Sequence, residues 1–185
     1  MNKIKKTIEA VFLDRDGTIG GDDTIHYPGA FELYSYTPEL IHKLKNSGIK
    51  VFSFTNQPGI SEGKATIQAF VDELTGIGFD EVLICPHNHH QGCNCRKPGV
   101  SMLLQGGEKY SLDLENCVVI GDRWSDMVAA SKVKSVKILV LTGAGQATLN
   151  EHYDKIKDIN IEYIAKDLEE AVVWLYQNYN MGKRE

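Results

Sequence analysis

An α/β fold built on a doubly wound, Rossmann-like parallel sheet is predicted by three features of the chain. Short apolar runs recur along it, stretches of helical periodicity lie between them, and polar or glycine-bounded loops follow the runs. A strand buried on both faces reads as a continuous apolar run rather than an alternating one. Alternation of such runs with helices is the pattern of βαβ units.

In chain order, strands are expected at Ala10–Leu13, Val51–Phe54, Glu81–Ile84, Val118–Ile120 and Val136–Leu141. After the first, Thr37-Pro38-Glu39 offers a capping hydroxyl, a proline at the first helical position and an acid in the first turn. Leu40, Ile41 and Leu44 then share one face, and Gly48 ends the helix. Further helices are expected over Lys64–Leu74, Val100–Tyr110 and Ser125–Ser131. A last one starts near Asp167, whose spacing to Glu170 is that of a capping box, and carries Leu168, Ala171, Val172 and Leu175 inward. Residues 15–36 and 85–99 fit neither period. Both stretches follow strands, and in an open α/β sheet ligands bind beyond the carboxyl ends of strands.

The 185 residues suit one domain, 1–185, with a core large enough to need no disulfide framework. The balance of 20 basic against 25 acidic side chains, a formal charge of −5, argues against nonspecific nucleic-acid binding, which rests on neutralising phosphates with Lys and Arg. The apolar run behind the basic residues of Met1–Lys6 is too short for a secretory leader, and no window is long enough for a membrane span. A cytoplasmic monomer acting on a small soluble molecule, with no nucleic-acid or membrane partner, is therefore expected.

Four strand ends carry the chemistry. Leu13-Asp14-Arg15-Asp16-Gly17-Thr18 sets two carboxylates two residues apart just past a buried strand. One can attack phosphorus and form an aspartyl-phosphate, while the other protonates the departing oxygen. Asp14 is the candidate nucleophile and Asp16 the candidate acid and base. Thr55-Asn56-Gln57 ends the next strand, with a hydroxyl able to bond a phosphate oxygen and two amides as candidate substrate contacts. Arg96-Lys97-Pro98 supplies a compact cation for the transferring group and a guanidinium fork for a second anionic group. Gly121-Asp122-Arg123-Trp124-Ser125-Asp126 places two more carboxylates at a strand end and a helix start, and hard oxygen ligands suit magnesium. Asp122 is the candidate ligand. Asp126 either orients the site or caps the helix.

In this order the four elements resemble the haloacid dehalogenase superfamily of phosphohydrolases over about Ile8 to Gly145. The resemblance implies a nucleophilic Asp14, an acid/base Asp16, and Thr55 and Lys97 stabilising the phosphoryl group. It also implies magnesium held by the Asp14 side chain, the Asp16 backbone carbonyl and Asp122.

Residues 85–95 hold the cluster Cys85, His87, Cys93 and Cys95. In a reducing compartment a Cys₃His set reads as a structural zinc site rather than as disulfides, with His89 and His90 as spare imidazoles, His89 the one that could stand in for His87. Because Cys95 directly precedes Arg96-Lys97, the metal would brace the loop that presents those cations. Cys117, at the head of an apolar run, reads as a buried structural thiol. The pattern Cys-Pro-His…Cys-Asn-Cys-Arg-Lys-Pro resembles the zinc loop of a capless branch that contains the heptose bisphosphate and histidinol-phosphate phosphatases. Thr142-Gly143-Ala144-Gly145 is closer to the heptose members, in which the residues at Arg96 and Arg123 contact substrate. Gly20–Gly29 lacks the Gly-Tyr-Val segment common in heptose enzymes, so a histidinol-phosphate phosphatase is the second expectation. A receiver-like domain, which forms a phosphoaspartate without metabolite turnover, is the third.

Overall fold

The computed structural model describes residues 5–182. The chain opens with β1 (Thr7–Ile8) and β2 (Ala10–Leu13), crosses an irregular segment, and continues through α1 (Thr37–Asn46), β3 (Lys50–Asn56), α2 (Ile67–Ile77) and β4 (Glu81–Cys85). A second irregular segment leads to α3 (Ser101–Tyr110), β5 (Cys117–Gly121), α4 (Trp124–Lys132) and β6 (Val136–Val140). The chain ends with α5 (Gly145–Asn150), α6 (Tyr153–Ile156), β7 (Tyr163–Ala165), α7 (Leu168–Asn178) and β8 (Asn180–Met181). β1 and β8 pair alone, tying the two ends of the chain together.

The main sheet is parallel, in the order β4-β3-β2-β5-β6-β7. From β2 the chain builds outward to β3 and β4, then returns to lay β5, β6 and β7 on the other side. The crevice at such a switch point opens beside the carboxyl ends of β2 and β5.

Side-chain alternation along β2 divides the core into two layers. Val11 and Leu13 pack with Leu40, Ile41 and Leu44 of α1 and with Leu168, Val172 and Leu175 of α7. Ala10 and Phe12 face Phe52, Phe54, Met102, Leu103, Ala129 and Ala130 on the opposite side. Gly106 of α3 lets that helix approach closely, since a Cβ there would lie 2.8 Å from the Phe12 ring.

The five expected strands are present: Ala10–Leu13 has the expected bounds, and the other four differ from expectation by one or two residues at one or both ends. Helix starts moved more. α1 is preceded by Tyr36, not capped by Thr37; the Thr37 hydroxyl instead donates to the Ile19 carbonyl at 2.7 Å, anchoring the segment that follows β2. α2 begins after Thr66, whose side chain accepts from the Ala69 amide, rather than at Lys64. The Asp167–Glu170 box is half present. Asp167 accepts from the Glu170 amide, but the Glu170 carboxylate turns to the Lys166 amide. No helix of the described residues is long and apolar enough to cross a membrane.

Candidate active site

β2 ends where its backbone is still hydrogen-bonded to β5, through the Asp14 amide and the Ile120 carbonyl at 3.0 Å. Asp14 therefore emerges next to Asp122, which follows β5. Carboxylate oxygens of Asp14, Asp122 and Asp126 lie within 4.8 Å of one another, and all three residues are buried. Three like charges so close in a poorly solvated place need a cation.

Lys97 supplies one. Its Nζ lies 2.9 Å from Asp14 Oδ1 and 2.6 Å from Asp126 Oδ1, and it donates to the Phe54 carbonyl at 2.7 Å. Burial alone would lower the Lys97 pKa, but the charges of Asp126 and Asp14 outweigh it, and the ammonium stays protonated above its ordinary range. Asp126 does both things the sequence allowed: its second oxygen accepts from the Arg123 amide at 2.9 Å at the start of α4, while the first holds Lys97.

One Lys does not satisfy the cluster. Asp122 Oδ2 accepts from the Ala144 amide at 2.6 Å, but Oδ1 is buried with no hydrogen-bond partner among the described residues. Burial and the neighbouring Asp14 and Asp126 charges push the Asp122 pKa well above the usual carboxylate range. The backbones of Gly17 and Gly143 close over this carboxylate. A Cβ on either would come within 2.4 Å of Asp122 Oδ2, and both have positive φ. Thr142 completes the junction by donating to the Gly17 carbonyl at 2.6 Å. The orphaned oxygen, the carboxylate donors and the tight glycine cradle fit a small, hard divalent cation.

Asp16 is held on both oxygens. Oδ1 accepts from Arg15 at 2.8 Å and from the His26 amide at 3.1 Å, and Oδ2 accepts from Gln57 Nε2 at 2.6 Å. Burial is the largest influence on its pKa and raises it, against the opposing Arg15 charge. A carboxyl so tuned can carry a proton more readily than a surface acid.

Gln57 corrects the sequence expectation of a substrate contact. It is fully buried and spans Asp16 and Thr55, donating to the Thr55 hydroxyl at 3.0 Å. Side chains two apart on a strand share a face, so Thr55 and Gln57 point together toward Asp16. Asn56 points the other way, where its Oδ1 accepts from the Lys97 amide at 3.1 Å and steadies that loop.

A pocket of about 670 Å³ opens over these groups. Asp14, Asp16, Thr55, Asn56 and Lys97 lie in its lining, together with Arg96, Arg123, Trp124, Ser125 and residues 23–25 of the segment after β2. Arg96 is braced by the His87 carbonyl at 3.2 Å and by His89 at 2.8 Å, and Arg123 donates to the Asp23 carbonyl. The rim is thus cationic while the floor is acidic.

Behind Arg96, ligand atoms of Cys85, His87, Cys93 and Cys95 also gather within 4.8 Å, a set that could hold a metal ion. His89 lies outside this set and bonds Arg96 at 2.8 Å. Cys117 lies apart, its thiol pushed up to about 12 by burial.

Arg15 and Glu73 support the site without having been singled out, and Thr142 and the Ala144 amide, in a segment read only for its resemblance to the heptose members, hold the Asp122 junction. The contacts that give these residues and Gln57 their roles join residues far apart in the chain.

A family model described as HAD-hydrolase-like matches residues 94–171. The D-glycero-β-D-manno-heptose-1,7-bisphosphate 7-phosphatase of Vibrio cholerae is 34% identical over 174 residues, covering 81% of this chain and 93% of that protein. The Helicobacter pylori protein of the same name is 33% identical over 181 residues, 91% of this chain and 98% of the relative. Among solved structures, the D,D-heptose 1,7-bisphosphate phosphatase of B. bronchiseptica, complexed with magnesium and phosphate, superposes with a TM-score of 0.78 at 26% identity, over 92% of this chain and 99% of that one. The acidic floor, the buried Lys97 and the cationic rim thus sit on a scaffold shared across nearly full lengths, and the chain belongs to the haloacid dehalogenase-like phosphatases, in the family of the heptose bisphosphate phosphatases.

Proposed function

We propose that the chain hydrolyses the 7-phosphate of D-glycero-D-manno-heptose 1,7-bisphosphate through a phosphorylated Asp14. The observation that carries this reading is the pairing of a buried nucleophile and Lys97 on the floor with Arg96 and Arg123 on the rim of one pocket. A bisphosphate presents two anionic groups, and two separate cationic centres suit it better than they suit a monophosphate.

Among the described residues the Arg15 amide and Lys97 both bond Asp14 at Oδ1, leaving Oδ2 to attack phosphorus. Lys97 neutralises the equatorial oxygens. The Thr55 hydroxyl accepts from Gln57, so its own hydrogen is free to bond a phosphoryl oxygen. Asp16 gives its proton to the departing sugar oxygen, then takes one from the water that hydrolyses the acyl-phosphate. Magnesium, held by Asp14, Asp122 and the Asp16 backbone, would supply charge neutralisation for the transferring group.

Zinc is the metal the cysteine cluster fits. The Cys85–Cys93, Cys85–Cys95 and His87–Cys95 contacts are 3.6, 3.2 and 3.2 Å. A tetrahedron with metal–sulfur bonds of about 2.3 Å has edges of about 3.8 Å, so these contacts need to open by only a few tenths of an ångström to admit zinc at the centre. The loop then holds Arg96 through His87 and His89.

Phosphate release from the heptose bisphosphate and from histidinol phosphate, each with magnesium, tests the reading. Turnover of the first and not the second is expected; the reverse would overturn the substrate assignment. Asp16→Asn should slow phosphorylation of Asp14 by the sugar phosphate by about 10²–10⁴-fold in a single turnover, yet slow phosphorylation by p-nitrophenyl phosphate far less, because that leaving group needs no proton. Cys93→Ser should reduce bound zinc, measured by metal analysis, and raise KM for the bisphosphate through a loosened Arg96. Unchanged zinc content would remove Cys93 from the ligand set.

A further inference from the structure

Arg15 stands between the two catalytic carboxylates in sequence, yet it does not line the pocket. It is fully buried, with a relative exposure of 0%. Its Nε and Nη2 both donate to Glu73 Oε1 of α2, at 2.8 and 2.7 Å. Its Nη1 donates to Asp16 Oδ1 at 2.8 Å and to the His26 carbonyl at 2.6 Å. The guanidinium carbon lies 3.6 Å from the centre of the Phe31 ring and 5.0 Å from that of Phe70. A buried cation is tolerated where it is paired and hydrogen-bonded, and here every arm of the fork is occupied.

Those partners belong to three different parts of the molecule. Glu73 and Phe70 come from α2, Asp16 from the catalytic loop, and His26 and Phe31 from the flap, residues 17–36. His26 is stitched twice, since its amide also donates to Asp16 Oδ1 at 3.1 Å. The next residue, Tyr27, lies against Gly59, where a Cβ would come within 2.4 Å of its ring. Thr24 and Ile25, just before His26, line the pocket. The orientation of the proton-donating carboxyl and the position of the pocket wall therefore share one support.

We propose that Arg15, anchored by Glu73, is a positioning residue that fixes the Asp16 carboxyl and the His26 end of the flap as one unit. The inference rests on the reading of Asp16 as proton donor to the leaving group. A guanidinium that only stabilised the fold would, when removed, slow all substrates alike. A positioning role has a different signature. Misplacing Asp16 costs most where the leaving oxygen must be protonated, as in a sugar phosphate, and least for p-nitrophenyl phosphate, while release of the flap raises KM for the sugar.

The test uses the full chain with magnesium and compares KM and the single-turnover rate of Asp14 phosphorylation for D-glycero-D-manno-heptose 1,7-bisphosphate and p-nitrophenyl phosphate. Glu73→Ala and Arg15→Met are expected to lower the phosphorylation rate with the sugar phosphate by about 10- to 100-fold, part of the whole general-acid effect, and with the aryl phosphate by less than about threefold. KM for the sugar should rise in both variants. Glu73→Gln should recover most of the loss, because an amide oxygen can accept the same two guanidinium hydrogens. If Arg15→Met does not fold, Glu73→Ala carries the comparison, since Glu73 lies on a helix surface and is only partly buried. Equal losses on the two substrates, or no loss in Glu73→Ala, would overturn the inference while leaving the phosphatase reading intact. Failure of the wild-type chain to release phosphate from either substrate would overturn both.

Discussion

Asp14→Asn is expected to abolish phosphate release, with kcat lowered by about 10⁴-fold or more, as for loss of other covalent nucleophiles. The amide keeps the shape of the side chain but is a poor nucleophile toward phosphorus. The fold should survive for an electrostatic reason. Asp14, Asp122 and Asp126 crowd three carboxylates within 4.8 Å, and Lys97 would remain paired with Asp126 after the substitution. Removing one of three like charges relieves repulsion, so thermal unfolding in the absence of divalent cations should stay close to that of the wild type. The direct check is acid quenching during turnover of a labelled substrate. Wild-type protein should trap phosphate covalently and the variant none. Trapping undiminished in the variant would place the nucleophile elsewhere.

The acidic floor was legible in the sequence because its parts sit at strand ends, where an apolar run stops at an Asp. Asp14 and Asp122 could be placed in one crevice once the alternation of strands and helices implied a parallel sheet. The cysteine loop was legible from spacing, since its ligands lie within eleven consecutive residues. What could not be read was which way a side chain turns when both directions offer a polar partner. Gln57, a residue after the end of β3, turns into the core toward Asp16, and Arg15, beside the nucleophile, turns away from the pocket toward α2. Both choices depend on residues distant in the chain, Asp16 in one case and Glu73 in the other, and no local period encodes them. The same holds for β7, a three-residue edge strand too short to stand out as an apolar run. Thr37 shows the same limit in a helix start, where a hydroxyl suited to capping found a better acceptor in the Ile19 carbonyl.

Lys97→Met should produce the largest combined loss of activity and stability, because the ammonium serves both. Its Nζ is the nearest positive charge to Asp14 and Asp126, and its side chain is 1% exposed. Breaking a buried ion pair by removing one partner leaves the other charge uncompensated and typically costs about 3–5 kcal/mol. For a chain of this size that corresponds to a fall in Tm of roughly 6–20 °C without divalent cations. Magnesium should recover part of it, because a cation that binds only the folded state shifts the equilibrium toward that state. A companion substitution separates the two roles of the lysine. In Lys97→Met/Asp126→Asn one of the two carboxylates left unpaired is gone and only Asp14 remains without its ammonium, so part of the stability should return. Turnover should not return, since the phosphoryl oxygens still lack their ammonium, a loss of about 10²–10³-fold by comparison with other transition-state donors. Thermal unfolding with and without magnesium, set beside kcat for the single and double variants, reads both effects. Recovery of turnover along with stability in the double variant would make Lys97 a purely structural counter-ion and shift phosphoryl stabilisation to Thr55 and the metal.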